Sequence, residues 1–336
     1  MKSIRVNELR RVTDGVWTGA TGAGVIIGVY DTGIDFRHDD FLDPGGRTRL
    51  LGIWDQTRPG TAPPGATFGH YCSRDAIQRV IDNPLDTSPC PQQDTHGHGT
   101  HTAGTAAGDG SAANQGVSTY QYAGVAPVAD ILIVKGGNGS FAESNILDGL
   151  RWLESQSRLL NRPMVVNVSL GGQAGAHDGS RLYEQEIDNL SRPGFLVAIS
   201  SGNEGSNGNL RNRDGSPFPF SPIYIHGTGL SQTGSTRDFT FQVPSTSSLP
   251  GACNEVVQFS LWYEGQDRLR ITVLRPDGTS HTNDPGATGL QDNPSGSIQI
   301  TNAPNGSNPL NGDNEALIVV GDCGTSQARA AGGTWT

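Results

Sequence analysis

Short apolar runs that end at small or polar residues organise this chain up to about residue 205. These runs are rich in Val, Ile and Leu, as buried parallel strands are. Between them, apolar residues recur at the spacing of an amphipathic helix. Strands that alternate with helices predict a parallel sheet with helices on both faces, which is an α/β fold. The predicted strands are Val25–Tyr30, Ala129–Lys135, Met164–Val168 and Phe195–Ile199. The predicted helices are Asp75–Ile81, Ser144–Leu160 with Ser144 as its cap, and Leu182–Leu190, and the rest of residues 45–93 is predicted to form loops.

A different pattern follows residue 225. Phe239, Phe241 and Val243 alternate with polar residues, and the same two-residue period recurs around Phe259 and Ile271. Because no helical period appears there, we predict an all-β module, either a sandwich or a jelly roll. The sequence therefore predicts an α/β domain at residues 1–225 and a β module at residues 226–336.

Charge and hydropathy restrict the classes of partner. The formal net charge is −10, and no basic patch of the kind that binds nucleic acid is present in the sequence. The longest apolar run, Val25–Tyr30, is far shorter than the roughly 20 residues that a membrane-spanning helix needs. We expect neither a nucleic acid nor a membrane as a partner.

Four cysteines bear on the compartment in which the protein works. None has the spacing of a zinc or redox motif, and they fall into two pairs along the chain. Disulfides Cys72–Cys90 and Cys253–Cys323 would indicate an oxidising compartment, outside the cell or in the periplasm, while four buried free thiols are the alternative. Residues 1–10 have no apolar signal-peptide core, so an exported protein would carry its signal outside this sequence.

Three polar side chains lie at the ends of predicted elements. Asp31 follows the first strand, His98 precedes a segment of small residues, and Asn203 follows the last parallel strand. The carboxyl ends of parallel strands share one edge of a sheet, where functional groups gather. A carboxylate can orient an imidazole, the imidazole can act as general base for a hydroxyl, and an amide can stabilise an oxyanion. The sequence thus predicts a nucleophilic active site.

The segments around these residues resemble the subtilisin-like serine peptidases, from about residue 17 to residue 210. The resemblance implies hydrolysis of peptide bonds, with Asp31 orienting His98, His98 acting as general base and Asn203 donating to the oxyanion. It also implies that Ser169, Leu170 and Gly171 form the backbone edge that pairs with an extended protein or peptide substrate. The segments that carry it are VYDTGID at Val29–Asp35, HGTHTAG at His98–Gly104, VSLGG at Val168–Gly172 and SGNEG at Ser201–Gly205.

Some features depart from the family pattern. Tyr30 replaces the usual aliphatic residue, and Thr102 stands where Val is common. Asp40 matches a position that can ligate calcium in the family, but the usual calcium loop is not recognisable. We therefore expect no cofactor, with a structural calcium ion as the exception to be tested.

The segment expected to contain the nucleophile departs most from the family pattern. Ser326 lies in a Gly-Thr-Ser sequence, but the proline of the family motif is absent and Gly332-Gly333 stands where a helix should continue. Some bacterial members of the family carry a β-sandwich between the oxyanion asparagine and the serine. We therefore expect the true nucleophile beyond Thr336, so that the chain as given is truncated and catalytically incomplete.

Two other functions remain open from the sequence. An inactive pseudopeptidase that binds a partner would keep the fold and lose the serine. A metal-dependent hydrolase would use His96, His98 and His101, because THGHGTH is similar to the Thr-His-x-His-x-Asp-His signature, with Thr100 in place of the aspartate. The metal interpretation leaves Asp31 unexplained.

Overall fold

The computed structural model describes residues 4–113, 116–172, 175–202, 227–243, 256–325 and 328–336. The chain divides into two compact units, the first formed by Met1–Gly172 and Tyr183–Ser206 and the second by Gln173–Leu182 and Asn207–Thr336. The boundary predicted between residues 225 and 226 lies outside the described residues, so the two predicted domains stay a prediction.

The described residues of the first unit form a six-stranded sheet and four α-helices. The sheet has the order β5-β4-β6-β3-β7-β8, and every neighbouring pair is parallel except β4 with β5. This confirms the predicted α/β class. The strands are β1 (Arg10–Thr13), β2 (Val16–Gly19), β3 (Ile26–Asp31), β4 (Leu50–Asp55), β5 (His70–Ser73), β6 (Asp130–Lys135), β7 (Met164–Val168) and β8 (Phe195–Ile199), with β1 and β2 forming a separate hairpin. The helices are α1 (Arg74–Asp82), α2 (His98–Ala107), α3 (Glu143–Leu159) and α4 (Leu182–Leu190).

Sequence and structure differ in this unit at the hairpin of β1 and β2, for which no strand was predicted, at β4 and β5, and at the start of α3. β4 and β5 lie where loops were predicted. The run that forms β4 is buried but is surrounded by Gly and Pro residues, whereas β5 has no apolar run and only its Cys72 is buried. The helix predicted from Ser144 begins at Glu143, with Ala142 at the cap position. Ser144 therefore lies inside the helix and is not its cap.

The central strand β3 is buried on both faces and separates two apolar cores. Ile27 and Val29 pack with residues of α1 and α2, whereas Ile26 and Tyr30 pack with residues of α3 and β7. The unusual Tyr30 fits because Gly149 in α3 leaves room for its ring, where a Cβ would come within 2.5 Å. Its hydroxyl is hydrogen-bonded to Gln56 at 3.1 Å. Burial raises the pKa of Tyr30.

A disulfide joins Cys72 in β5 to Cys90, with a sequence separation of 18. Both half-cystines are buried in the core beside α1. The loop that the bond closes contains α1 and ends just before the segment that leads to His98. The first predicted pair is thus confirmed, whereas Cys253 of the second pair lies outside the described residues.

Removal of this disulfide should lower the free energy of unfolding by about 3 kcal/mol, because a loop of this length then regains its closure entropy in the unfolded chain. The change is Cys72→Ala with Cys90→Ala, and the measurement is urea denaturation followed by tryptophan fluorescence. Dithiothreitol should destabilise the wild-type chain by more than it destabilises the double variant, in which only the predicted Cys253–Cys323 bond is left to reduce. Equal stability of the two proteins under oxidising conditions would contradict the prediction.

The regular elements described after residue 227 are all strands. A four-stranded antiparallel sheet has the order β10-β15-β14-β13, and two further pairs are β11 with β12 and β9 with β16. Trp335 lies fully buried in the core of this unit, beside Ile298 and Ile300. Strands β12 and β13 were not predicted, because their sequences SHTN and ATGLQ contain few apolar residues. The strands are β9 (Phe241–Val243), β10 (Val256–Tyr263), β11 (Ile271–Leu274), β12 (Ser280–Asn283), β13 (Ala287–Gln291), β14 (Ser297–Asn302), β15 (Asn314–Gly321) and β16 (Gly333–Trp335).

Candidate active site

Asp31 and His98 meet at the carboxyl edge of the large sheet. Asp31 is the last residue of β3 and is fully buried, and His98 is the first residue of α2. The His98 Nδ1 atom lies 2.7 Å from Asp31 Oδ1, although 67 positions separate the two residues. The imidazole remains 42% exposed, and in the described part of the chain no hydrogen bond engages its Nε2 atom. The predicted encounter of these two side chains is confirmed.

Two glycines allow His98 and Asp31 to lie this close together. Gly97 adopts a left-handed conformation with φ 82°, which turns the chain into α2 immediately before His98. A Cβ at Gly99 would overlap the backbone carbonyl oxygen of Gly33, two residues after Asp31. The first turn of α2 can therefore approach the end of β3 only because residue 99 has no side chain.

The Asp31 carboxylate receives three hydrogen bonds. Oδ1 accepts from the Thr32 amide at 2.7 Å as well as from His98, and Oδ2 accepts from the Thr102 hydroxyl at 3.0 Å. Burying a carboxylate is costly unless donors compensate for the lost water, and these three supply that compensation.

A second acidic residue, Asp94, holds the loop before His98 against the end of β3. Its Oδ1 accepts from the Thr32 hydroxyl at 2.8 Å and from the Gly97 amide at 2.9 Å. Its Oδ2 accepts from the amide and the hydroxyl of Thr100, at 2.8 and 2.6 Å. Burial acts to raise the pKa of Asp94, but these hydrogen bonds outweigh it and hold the pKa below its ordinary value.

The buried Lys135, at the end of β6, ties three segments together around this pair. Its ammonium donates to the backbone oxygens of Thr32 and Gln93, each at 2.8 Å, and to Asn138 Oδ1 at 2.7 Å. Burial lowers the pKa of Lys135. Sequence reasoning missed Lys135 and Asp94. Their positions in the sequence could have indicated both residues. Lys135 ends a predicted strand, and Asp94 lies four residues before His98.

The predicted substrate edge follows β7. Ser169 exchanges side-chain hydrogen bonds with Asn167, and the Leu170 carbonyl accepts from the Ser200 hydroxyl at 3.0 Å. Gly171 is exposed, and open space surrounds the position of its missing Cβ. A backbone of this kind is accessible to another extended chain. Asn203, the predicted oxyanion donor, lies outside the described residues.

A groove of about 390 Å³ runs between α2 and the sheet. His101 and Thr102 line one side, and Ser169 and Val165 line the other. Much of its wall is apolar, and Val165 is 36% exposed although β7 is not an edge strand. The groove thus connects the helix that carries His98 with the predicted substrate edge.

Nothing in the described ranges gathers three His, Cys, Asp or Glu side chains at a distance suited to one metal ion. The rings of His96 and His98 contact each other edge to face, at 6.1 Å between centroids, and His98 is bound to Asp31. Asp40, the candidate calcium ligand, accepts from the Ala112 amide at 2.9 Å. The structure therefore adds no support for a site built from His96, His98 and His101, and calcium binding stays untested.

These features define an α/β protein whose buried carboxylate orients a solvent-facing imidazole at the carboxyl end of a parallel sheet. The sequence profile of the subtilase family matches residues 22–265. The chain belongs to the subtilase family.

Individual relatives agree with this assignment. The subtilisin-like serine protease Pen c 1 of Penicillium citrinum is 32% identical over 199 residues, which cover 58% of this chain and 37% of that protein. Subtilisin E of Bacillus subtilis is 33% identical over 192 residues, which cover 56% of this chain and 37% of that protein. The chain thus spans 37% of the length of these two relatives.

A solved structure shares the fold. The CspB protease of Clostridium perfringens aligns with a TM-score of 0.69 at 22% identity, over 94% of this chain and 60% of that one. The likeness covers elements of both units. At this level of identity it establishes the fold alone.

Proposed function

We propose that the protein is a serine endopeptidase in which Asp31 and His98 supply two members of a Ser-His-Asp triad. The observation that carries the proposal is the 2.7 Å hydrogen bond between His98 Nδ1 and the buried Asp31 carboxylate. A carboxylate on Nδ1 holds that nitrogen in its protonated form, so that the lone pair is on Nε2, at the exposed edge of the ring. Family membership supports the same chemistry.

In this proposal a serine hydroxyl transfers its proton to His98 Nε2 as its oxygen bonds to the substrate carbonyl carbon. The carbonyl electron pair moves to the oxygen, where the Asn203 amide donates a hydrogen bond. His98 then passes the proton to the leaving amine, which gives an acyl-enzyme. Water then gives a proton to the same nitrogen as its oxygen bonds to the acyl carbon. The ester bond to the serine breaks, His98 returns the proton to the serine oxygen, and the acid leaves. The negative charge of Asp31 stabilises the imidazolium that forms at each step.

The nucleophile in this proposal is a serine other than Ser326. Ser326 itself lies outside the described residues, but Gly333–Trp335 soon after it forms β16, which pairs with β9. A strand in an all-β unit therefore follows Ser326, where the family pattern has a long buried helix. The groove beside α2 supports the proposal that a further helix carries the nucleophile. Its wall is largely apolar, as is a surface against which a helix packs.

Ser169, Leu170 and Gly171 are the proposed substrate edge. Extended peptides add to exposed sheet edges through backbone hydrogen bonds, which favour protein substrates of many sequences. The exposure of Gly171 supports close approach of a second backbone. The proposed substrate is an extended segment of a protein or peptide.

The proposed place of action is an oxidising compartment outside the cytoplasm. The Cys72–Cys90 disulfide supports this, because such bonds persist in oxidising surroundings. In the described ranges, no helix has the length and apolar character that crossing a membrane requires.

A fluorophosphonate probe tests the proposal. We expect no labelled serine in the 336-residue chain, and stoichiometric labelling in a gene product extended to include a Gly-Thr-Ser-x-Ala-x-Pro segment. His98→Ala should abolish labelling of the extended protein, since the serine then loses its base. Peptide mapping by mass spectrometry identifies the labelled residue. Labelling of Ser326 would overturn the assignment of the nucleophile, and labelling that survives His98→Ala would overturn the triad.

A further inference from the structure

Thr102 reaches the same carboxylate as His98 from the next turn of α2. The two residues are four positions apart, so their side chains project from one face of the helix. His98 Nδ1 lies 2.7 Å from Asp31 Oδ1, and the Thr102 hydroxyl lies 3.0 Å from Asp31 Oδ2. One helix face thus contacts both oxygens of the buried carboxylate.

The hydroxyl of Thr102 has a second acceptor within reach, the Gly99 carbonyl at 3.1 Å. A hydroxyl carries one proton, so it donates to one of the two at a time. The Gly99 carbonyl lies inside α2, where a helical amide serves it. Asp31 Oδ2 has no other donor in the described part of the chain, and a hydrogen bond to a charged acceptor is the stronger one. The Thr102 hydroxyl therefore donates its hydrogen bond to Asp31 Oδ2 rather than to the Gly99 carbonyl.

We propose that Thr102 is a positioning residue that fixes the rotation of the Asp31 carboxylate and moderates its basicity. With Oδ2 held by Thr102, Oδ1 stays directed at His98. Without that donor, the negative charge would concentrate on the bond to Nδ1. Val, which is common at this position in the family, has no hydroxyl and cannot make this contact. The inference rests on the proposed roles of Asp31 and His98.

The chain offers a matched control. Thr105, three residues further along α2, lines the same groove, and its hydroxyl donates to the His101 carbonyl at 3.0 Å. Thr105→Val therefore removes a hydroxyl from the same helix without touching Asp31. Thr102→Ser keeps the hydroxyl and should preserve the contact.

The experiment is NMR of the His98 imidazole in the 336-residue chain, which requires no catalytic activity. Thr102→Val should move the Nδ1–H proton resonance to lower field, because the carboxylate accepts more strongly after it loses the hydroxyl. Thr102→Ser and Thr105→Val should leave the resonance in place. Superimposable spectra for Thr102→Val and wild type would overturn the proposal, as would a shift of equal size in Thr105→Val.

An alternative NMR readout and an alternative pair of variants are available for the same comparison. Where solvent exchange broadens the Nδ1–H proton, the ¹⁵N shift of Nδ1 from a long-range ¹H–¹⁵N correlation gives the same comparison. Should Thr102→Val not fold, Thr102→Ala is compared with Thr105→Ala in its place. Because the readout is a resonance of His98, failure of this inference leaves the endopeptidase proposal standing, and failure of the labelling test leaves this measurement valid.

Discussion

Asp31→Asn should lower kcat by about 10⁴-fold while KM changes little, in the gene product extended to include a Gly-Thr-Ser-x-Ala-x-Pro segment. The equivalent change has an effect of this size in a Ser-His-Asp hydrolase. An asparagine of the same size donates from its amide to His98 Nδ1, which moves the ring proton to Nε2. The nitrogen that must accept the serine proton is then occupied. The loss should fall on kcat because the proposed substrate contacts lie on the backbone edge after β7 and not at Asp31. Steady-state hydrolysis of a peptide substrate measures both constants.

Asp39→Asn is the matched control for this change. Asp39 is an exposed carboxylate in the same unit, eight positions after Asp31. Its neutralisation removes the same charge from the molecule and should leave kcat within about twofold, since surface charges contribute little. Equal losses in the two variants would show that net charge, and not the orientation of His98, controls the rate. Full activity in Asp31→Asn would refute the proposed mechanism.

Gly99→Ala should destabilise the protein by about 3 kcal/mol and should also reduce activity. The added Cβ would overlap the carbonyl oxygen of Gly33, which is backbone and cannot rotate away as a flexible side chain could. To relieve the overlap, α2 must move away from the end of β3. That movement lengthens the hydrogen bond between His98 and Asp31, so folding and catalysis fail together.

Gly104→Ala in the same helix should have the opposite effect on stability. A Cβ there has Phe41 as its nearest neighbour, at 4.0 Å, which is ordinary contact distance. Alanine is a better helix former than glycine by about 1 kcal/mol, so this variant should be slightly more stable than wild type. Urea denaturation of the two variants measures the contrast. Similar stabilities for both would contradict the close approach at Gly99.

Much of the first unit could be predicted from the sequence because its central strands are buried on both faces. Such strands are largely apolar, and β3 and β6 stand out for this reason. β7 and β8 are only partly buried, but MVVNV and FLVAI are still short apolar runs. β4 was missed because LLGIWD contains a glycine and lies among prolines and glycines. β5 was missed because HYCS has no apolar run at all, and it forms because β4 offers it an antiparallel edge.

The sequence predicts the contact between Asp31 and His98, but it does not predict the residues that hold them in place, Asp94 and Lys135. Asp31 and His98 stand at element ends with small neighbours, which is a local signal. Asp94 accepts a hydrogen bond from the Thr32 hydroxyl and Lys135 donates one to the Thr32 carbonyl, and because Thr32 is distant in sequence from both, no local pattern encodes these contacts. Thr102 was noted only as a departure from the family pattern, because its contact with Asp31 requires the helix to be in place.

The decisive measurement is the tautomer of the neutral His98 ring, read from long-range ¹H–¹⁵N correlations. Because Asp31 is bound to Nδ1, we expect Nδ1 to carry the proton and Nε2 to be bare in the wild-type chain, and we expect Asp31→Asn to reverse this assignment. A proton on Nε2 in the wild-type chain would contradict it, because the nitrogen facing solvent could then accept nothing from a serine.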